Sequence, residues 1–289
     1  PKTSSAASDV YKRQMLSNAE VNGADLVFSV GSSATVFMTK NYSHGNIPVV
    51  TACSKDPVSI GQIDPAIGMS QNNIAYTSLN ISVETQVSYL KEKFMTELKR
   101  IAVIYDRNNK SSIITQVNPL VDYLKSGEQG IVVDLLEVDF ENLESSLYQP
   151  MKKIVDETHN VGETVFLITG STEIFNIIDY INHFAQQIPV LSVTPSHVRS
   201  GEKSVFVAIG VSFKTNAKLA AGYALGILEG TAETSTIPVG VVSTPDIAIN
   251  FLRKPSHELK VPFNFFEDSV FIYNYDGDPV RENGHIVGH

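Results

Sequence analysis

The sequence lacks the residues that would build a disulfide framework, a metal cluster or a membrane span. Cys53 is its single cysteine among 289 residues, which excludes an internal disulfide framework and any multi-cysteine metal site. No apolar run reaches the roughly 18 residues needed to cross a bilayer. The seven histidines do not show the paired spacing of a zinc site, and the phosphate-binding pattern GxxxxGK[ST] is absent. We therefore expect no cofactor and no metal.

The charge and the first residues narrow the class of protein further. A net charge of −9 argues against nucleic acid or an anionic membrane surface as a partner. The opening PKTSSAASDVYKRQ has no apolar core, so it is not a secretory signal. Because it resembles a translated sequencing-adapter tail, we expect residues 1–14 to be a non-native or disordered tail.

Apolar, strand-like stretches alternate with helical patterns along most of the chain. This alternation favours an α/β fold of parallel sheets with right-handed crossovers. The predicted strands are 25–30, 47–51, 73–77, 101–105, 131–138, 164–169, 189–193 and 204–210. The predicted helices are 34–41, 83–98, 112–126, 143–157, 173–186 and 215–228, with a short turn near 196–200.

Three of these strands run directly into small polar residues that open a helix. In an α/β sheet such loops lie outside the carboxyl ends of parallel strands, where ligands bind. Backbone N–H groups at the following helix N-termini favour any anionic part of a ligand. None of the loops holds a nucleophile with its base, so we expect binding without catalysis and no enzyme. The loops are Gly31–Thr35 after DLVFSV, Arg107–Ser112 after IAVIYD and Gly170–Glu173 after TVFLIT.

Six segments in a fixed order resemble a known family. The segments are GADLVFSVGSSAT, IPVVTACSKDPVSIG, NIAYTSLN, LKRIAVIYDRNNKSS, IPVLSVTPSHVRSG and VFVAIGVSFKTNAKLAAGYALGILEG. Together they resemble the substrate-binding proteins of bacterial ABC importers, in the group whose best-known members bind aromatic amino acids. The resemblance covers about residues 15–255.

The resemblance implies a type I periplasmic binding fold, in which two Rossmann-like lobes joined by a hinge hold a ligand in the cleft. It also implies that the first lobe lacks its N-terminal strands, about 50–60 residues by the usual element count of such a lobe, together with a signal sequence. Lobe 1 would comprise 15–78 plus 211–242, lobe 2 would comprise 79–210 plus 243–276, and 277–289 would be a C-terminal tail. The crossovers would lie at Thr77–Leu79, Gly210–Ser212 and Val242–Pro245.

The strand-end loops and the implied hinge together give the candidate ligand-binding residues. Serine and threonine in such loops also serve as ordinary helix caps, and Tyr105 at a strand end is equally typical of core packing. Phe213, just past the second crossover, is the preferred candidate for stacking on a ligand ring. The full set is Gly31, Ser32, Ser33, Thr35, Tyr76, Thr77, Tyr105, Asp106, Ser111, Ser112, Gly170, Ser171, Thr172, Thr194, Ser196 and Phe213.

The sequence departs from the family pattern where amino-acid-binding members present carboxylates. Those places hold Ser171, Pro195-Ser196 and Ser212 here. Because a buried ammonium without a charged partner costs several kcal/mol, this departure favours a neutral or weakly anionic ligand with a flat or ring portion. Glu173 or Asp106 as substitute acids would restore the case for an amino acid.

The expected function is that of an extracytoplasmic solute-binding protein of an ABC-type importer. It would bind a small ligand, close upon it, and deliver it to a membrane permease served by ATPase subunits. Its location would be the periplasm or the extracytoplasmic membrane surface, without direct membrane insertion and with a lipid anchor left open. The alternative is the ligand-sensing receptor domain of a signalling protein or a transcriptional regulator.

Overall fold

The computed structural model describes residues 5–125, 127–199 and 201–287. The chain forms two compact units, of which unit 1 comprises Pro1–Asn80 and Phe213–Val242 and unit 2 comprises Ile81–Ser212 and Ser243–His289. The chain thus passes between the units after residues 80, 212 and 242. The three crossovers expected from the family resemblance lie at or next to these points.

Unit 1 is a small parallel sheet with helices packed on both faces. Because side chains alternate along a strand, Val49 faces Phe37 and Met38 of one helix, whereas Val50 faces Ala220 and Ala224 of another. In the described part of the chain the strand order is β1-β2-β3. The elements are α1 (Ser5–Val21), β1 (Val27–Val30), α2 (Ser32–Asn41), β2 (Val49–Ala52), β3 (Ile74–Ala75) and α9 (Phe213–Leu228).

Helix α1 includes residues that the sequence analysis assigned to an N-terminal tail. Residues 5–14, expected to be part of a tail, form the first half of this helix. The Lys12 ammonium lies 5.3 Å from the centre of the Phe37 ring, and Arg13 donates to Asn41 Oδ1 at 3.1 Å. A polar segment can therefore be ordered without an apolar core of its own, because its long side chains pack on α2. Residues 1–4 lie outside the described residues.

Unit 2 is built on one larger sheet with the strand order β12-β11-β10-β9-β8-β7-β6-β4-β5 over its described residues. The neighbouring strands β5, β4, β6, β7 and β8 are all parallel, as predicted. Strand β9 runs antiparallel to β8. The strands are β4 (Arg100–Asp106), β5 (Val132–Val138), β6 (Thr164–Ile168), β7 (Val190–Ser192), β8 (Val207–Gly210), β9 (Asp246–Asn250), β10 (Ser269–Tyr273), β11 (Pro279–Glu282) and β12 (His285–Ile286).

Within the expected C-terminal tail, Pro279–Glu282 and His285–Ile286 form strands of this sheet. Strands β10 and β11 form an antiparallel pair, and the turn between them is closed by a hydrogen bond from Asn274 N to Asp278 O at 2.9 Å. Gly277 has a φ of 85° in this turn, a conformation that glycine adopts at no steric cost. A turn sequence rich in Asn, Asp and Gly therefore continues the fold.

The helices of unit 2 cover both faces of its sheet. Ile101 and Val103 belong to one buried cluster, and Ala102 and Ile104 belong to the other. The helix predicted over 83–98 ends at Phe94, although Leu98 is still buried. The α-helices are α3 (Val83–Ser88), α4 (Lys110–Ser112), α5 (Asn118–Lys125), α6 (Gln149–Glu157), α7 (Thr172–Asn176), α8 (Ile178–Ala185) and α10 (Phe263–Glu267), and π-helical turns occupy Tyr89–Phe94, Ile113–Val117 and Glu144–Tyr148.

The length and hydropathy of the helices can be compared with those of a membrane-spanning helix. Of the helices in the described ranges, none combines the length and the apolar character that a bilayer crossing requires.

Candidate ligand-binding site

In unit 1 the loop that opens α2 connects the ends of β1 and β2. Gly31, with a φ of 86°, donates its N–H to Ala52 O at 2.8 Å and so extends the strand pairing by one residue. The Ser32 hydroxyl accepts from the N–H of Lys55 at 3.1 Å, whereas the N-cap residue of α2 makes no side-chain cap. Ser32 therefore bridges two strand-end loops, and Ser33 beside it is exposed.

Below this loop, three buried hydroxyls lack a hydrogen-bond partner in the described structure. They belong to Ser29, Thr35 and Ser54. An unpaired buried polar group costs about 1–3 kcal/mol, and such groups in a native fold call for an explanation such as a functional role or a bound water. Thr35, predicted to contact ligand, thus points its hydroxyl into the interior of the unit.

Lys55 directly follows the buried Ser54. It was not among the predicted ligand-binding residues. Burial lowers the pKa of its ammonium to about 8, because desolvation disfavours the charged form. Its position in the first loop after β2 was the available signal, since ligand-binding groups gather at the carboxyl ends of parallel strands.

Tyr76 and Thr77 are placed inside unit 1 and not on a surface open to ligand. The Tyr76 ring is 2 % exposed within the cluster that contains Phe37, and its hydroxyl lies 2.8 Å from Thr39 Oγ1. Burial raises the pKa of this phenol. The Thr77 hydroxyl donates to Thr51 O at 2.7 Å. Both residues therefore hold β3 and the start of the first crossover, which is a structural correction to the predicted site.

Phe213 keeps the exposure that a stacking residue needs. It is the first residue of α9, and 52 % of it is accessible to solvent. Its carbonyl accepts a hydrogen bond from Cys53 Sγ at 3.7 Å, which ties the helix start to the end of β2.

In unit 2 the ends of β4 and β6 bring two acids to one serine. Ser171 Oγ lies 3.4 Å from Asp106 Oδ2 and 3.4 Å from Glu173 Oε2. Asp106 and Ser171 are both buried. The parallel register that pairs Ile104 with Ile168 places these residues side by side, although they are far apart in the sequence. The arrangement gives unit 2 a compact acidic group at the carboxyl edge of its sheet.

The same edge joins the other predicted residues of unit 2. Ser112 Oγ donates to Gly170 O at 2.9 Å, and Gly170 N donates to Gln116 Oε1 at 2.9 Å. A side chain at Gly170 would approach Thr194 Oγ1 to 3.2 Å, so the loops after β4, β6 and β7 meet here. Ser111, Thr172 and Ser196 flank these loops.

Tyr105 differs from its neighbours, because its ring belongs to the apolar core of unit 2. Its hydroxyl lies 3.2 Å from Glu137 Oε2. Burial, with a smaller contribution from Glu137, raises the pKa of this phenol. The core-packing interpretation of Tyr105 therefore fits the structure better than ring stacking on a ligand.

His197, whose position in the sequence suggests a surface histidine near the loop after β7, is buried. His197 Nδ1 lies 2.8 Å from Ser192 Oγ, and the ring stacks on Phe175 with 5.1 Å between centroids. Burial lowers the pKa of His197 to about 4, so the ring is neutral at physiological pH. Across the described ranges, His, Cys, Asp and Glu form no group of three or more that could hold a metal ion.

Comparison with known proteins identifies the family. The family model described as ABC transporter substrate binding protein matches residues 2–264. The chain belongs to this family. A solute-binding role follows, and proteins of this family are generally not enzymes and are typically extracytoplasmic. No curated protein sequence gives a significant match.

Three of the solved structures with the same fold are substrate-binding or related proteins from bacteria. The ligand-free, open form of a substrate binding protein with adhesive properties from Clostridium difficile is 21 % identical, with a TM-score of 0.68 over 88 % of this chain and 82 % of that one. An ABC domain in complex with L-Trp from Streptococcus pneumonia is 16 % identical, with a TM-score of 0.65 over 93 % and 86 %. A conserved domain protein from Vibrio cholerae is 18 % identical, with a TM-score of 0.66 over 93 % and 83 %.

These matches confirm the predicted α/β fold of the periplasmic-binding-protein type. At such identities the likeness concerns the fold and not the ligand. The lac repressor, a regulator, is also similar, at 12 % identity and a TM-score of 0.51 over 85 % of this chain and 68 % of that one. Fold likeness therefore extends from transport proteins to a sensing protein, and it does not choose between them.

Proposed function

We propose that this protein binds a small polar solute outside the cytoplasm and delivers it to the permease of an ABC-type importer, with ATP hydrolysis carried out by partner subunits. The family match supports the transport role. The carboxyl edges of the two sheets supply the recognition groups, because each gathers polar side chains from several strand ends.

The observation that carries the ligand proposal is the acidic group around Ser171. Asp106 and Glu173 each lie 3.4 Å from its hydroxyl. In this proposal the two carboxylates take the role of the acids that are missing at Ser171, Pro195-Ser196 and Ser212. We therefore propose that the ligand presents an ammonium or another cationic group to this edge of unit 2, where charge-assisted hydrogen bonds are strong.

Unit 1, taken by itself, offers groups that suit an anionic part of a ligand. The first turn of α2 offers free N–H groups and a favourable dipole to a carboxylate, and Ser32 lies at that turn. Lys55, whose backbone N–H donates to the Ser32 hydroxyl, belongs to the same pair of loops. An amino acid carries both kinds of group, an ammonium and a carboxylate.

Titration calorimetry with paired ligands tests this proposal. Native mass spectrometry of protein purified without refolding first reports any ligand carried over from the cell. L-Trp, L-Tyr and L-Phe are then titrated beside their N-acetyl derivatives, which keep the ring and the carboxylate but lose the ammonium. We expect binding of at least one free amino acid, and at least about tenfold weaker binding of its N-acetyl form.

The variant E173Q removes one carboxylate and should weaken binding of the amine by about tenfold. Glu84, an exposed acid in the first turn of α3, gives the matched control E84Q, which should leave affinity unchanged. Equal affinity for free and N-acetylated ligands would contradict the cationic-group proposal. Permease and ATPase genes beside the coding sequence would support import, whereas a neighbouring kinase or cyclase gene would favour the sensing alternative.

A further inference from the structure

A single buried amide joins three segments of unit 1. Asn216, in the first turns of α9, is 0 % exposed. Its Oδ1 accepts from the backbone N–H of Cys53 at 2.6 Å, and its Nδ2 donates to the carbonyl of Ser78 at 2.9 Å. The Thr77 hydroxyl lies 3.1 Å from the same Oδ1. One side chain thus links α9 to the end of β2 and to the start of the first crossover.

The chemistry of these contacts requires an amide. Cys53 presents an N–H, which needs an acceptor, and Ser78 presents a carbonyl, which needs a donor. Asparagine supplies both from one planar group, whereas a carboxylate has only acceptors. The partners also fix the orientation of the amide, since the reverse assignment would face an NH₂ with the Cys53 N–H.

The segment held by this amide turns sharply. Cys53 has a φ of 54°, in the left-handed region that non-glycine residues adopt at a cost. Its N–H points to Asn216, and the chain leaves β2 for the loop that contains Ser54 and Lys55. The contact with Asn216 is therefore a direct compensation for the unfavourable turn.

The held loop reaches the first turn of α2. Ser32 Oγ accepts from Lys55 N at 3.1 Å, and Leu79 N donates to Ser54 O at 2.8 Å. The short segment Cys53–Lys55 is thus held at one end by Asn216 and at the other by Ser32. The crossover segment is attached to the same loop at its other side.

We propose that Asn216 is a positioning residue for ligand binding: its buried amide fixes the loop Cys53–Lys55 beside the N-terminus of α2 and anchors the first crossover to α9. This role rests on the proposed solute-binding function, but it is defined by contacts within unit 1. A second anchor of similar design lies in unit 2, where Asp246 Oδ2 accepts from Ser212 N at 2.8 Å. The last residue before the second crossover is therefore held by a buried carboxylate of unit 2.

Hydrogen exchange of the N216D variant tests the proposal without any ligand. At pH 8 the carboxylate cannot donate to Ser78 and repels its carbonyl. When protonated at pH 4.5 it regains a donor, and burial favours that neutral form. We expect Cys53 and Lys55 amides to exchange about tenfold faster than in the wild type at pH 8, and the ratio of variant to wild-type rates to fall toward one at pH 4.5.

A matched control uses the other unit. Asn250 is also buried, donates to Val198 O at 3.0 Å and accepts from Leu252 N at 3.0 Å. The variant N250D should leave the exchange of the Cys53 amide unchanged. A rate ratio near one for N216D at pH 8, the same ratio at both pH values, or an equal effect of N250D would overturn the proposal.

The variant S32A keeps the test decisive if N216D does not fold at pH 8. It removes the half-exposed hydroxyl that accepts from the backbone N–H of Lys55. We expect faster exchange of the Lys55 amide alone, with the Cys53 amide still protected by Asn216. Loss of protection at Cys53 in S32A would place the anchor in the α2 loop and contradict the role of Asn216. Because no ligand enters these measurements, a failure here is distinct from a negative result in the calorimetric titrations.

Discussion

His197 is a buried, neutral histidine that contacts Ser192 and Phe175. Ser192 Oγ lies 2.8 Å from its Nδ1, the Phe175 ring covers its face, and burial lowers the pKa of His197 from 6.5 to about 4. Between these two pH values the unfolded chain binds a proton on this ring that the folded chain does not. Stability therefore falls as the pH falls through that window.

The variant H197N isolates this contribution. We expect the wild-type free energy of unfolding to decrease on acidification from pH 6.5 to 4, with up to about 3 kcal/mol from His197. H197N should show a flatter pH dependence in urea unfolding, because asparagine does not titrate. The exposed His159 gives the control H159N. An unchanged slope in H197N would show that other groups govern acid stability.

At the scale of single residues the sequence indicated position better than orientation. It placed hydroxyls at strand ends, and Ser32, Ser112 and Ser171 do lie there. It gave no means of knowing that Tyr76 and Thr77 would face the interior, since both faces of the unit 1 sheet are covered by helices. The periodicity of a segment shows which of its own residues are buried. It does not show that α9, which is remote in the sequence, covers the second face of the unit 1 sheet.

Strands β1 and β5 each lie at the edge of a sheet over the described residues. They differ in the charged residues that discourage pairing with other chains. Val30 of β1 and Val132 of β5 are each 62 % exposed. Strand β5 also carries Asp134, whose carboxylate accepts from Arg100 Nε at 2.6 Å, and charges on an edge discourage pairing with other chains. In β1, Phe28 is exposed as well, and the strand contains no charged residue.

This contrast predicts unequal effects of one substitution on self-association. V30K should lower aggregation on heating or concentration, because it adds the charge that β1 lacks. V132K should change aggregation little, because β5 is already charged. Light scattering during a thermal ramp compares both variants with the wild type. Equal behaviour of the two variants would exclude β1 as the preferred site of association.

Some element boundaries were predicted to within two residues. The helix expected at 215–228 is observed at Phe213–Leu228, and the strand expected at 131–138 is observed at Val132–Val138. The residues 277–289 were expected to be a tail, yet β11 and β12 join the sheet. Their short, polar sequence carries little strand signal, and pairing with β10 supplies what local propensity does not.

At the scale of the whole molecule, the two units differ in the extent of their sheets. In the described part of the chain, the strands of unit 1 have two to four residues, whereas β4 has seven. The buried clusters of unit 2 are also larger. Because stability rises with the apolar area that folding buries, unit 1 should be the less stable of the two.

Hydrogen exchange in increasing urea measures this difference. We expect amides of 49–52 to lose protection at a lower urea concentration than amides of 101–104 and 165–168, in line with cooperative units of unequal stability. Simultaneous loss of protection in both sets would instead indicate a single cooperative transition.

The sequence by itself determined the α/β alternation, the polar loops at the strand ends and, through its ordered segments, the family. Each of these depends on neighbouring residues, whose periodicity and order are present in the chain. Only the tertiary structure decided which hydroxyls turn inward, that Asp106 and Ser171 meet across β4 and β6, and that Asn216 joins β2, α9 and the first crossover. Such contacts depend on strand register and helix packing between distant segments, which no local pattern encodes.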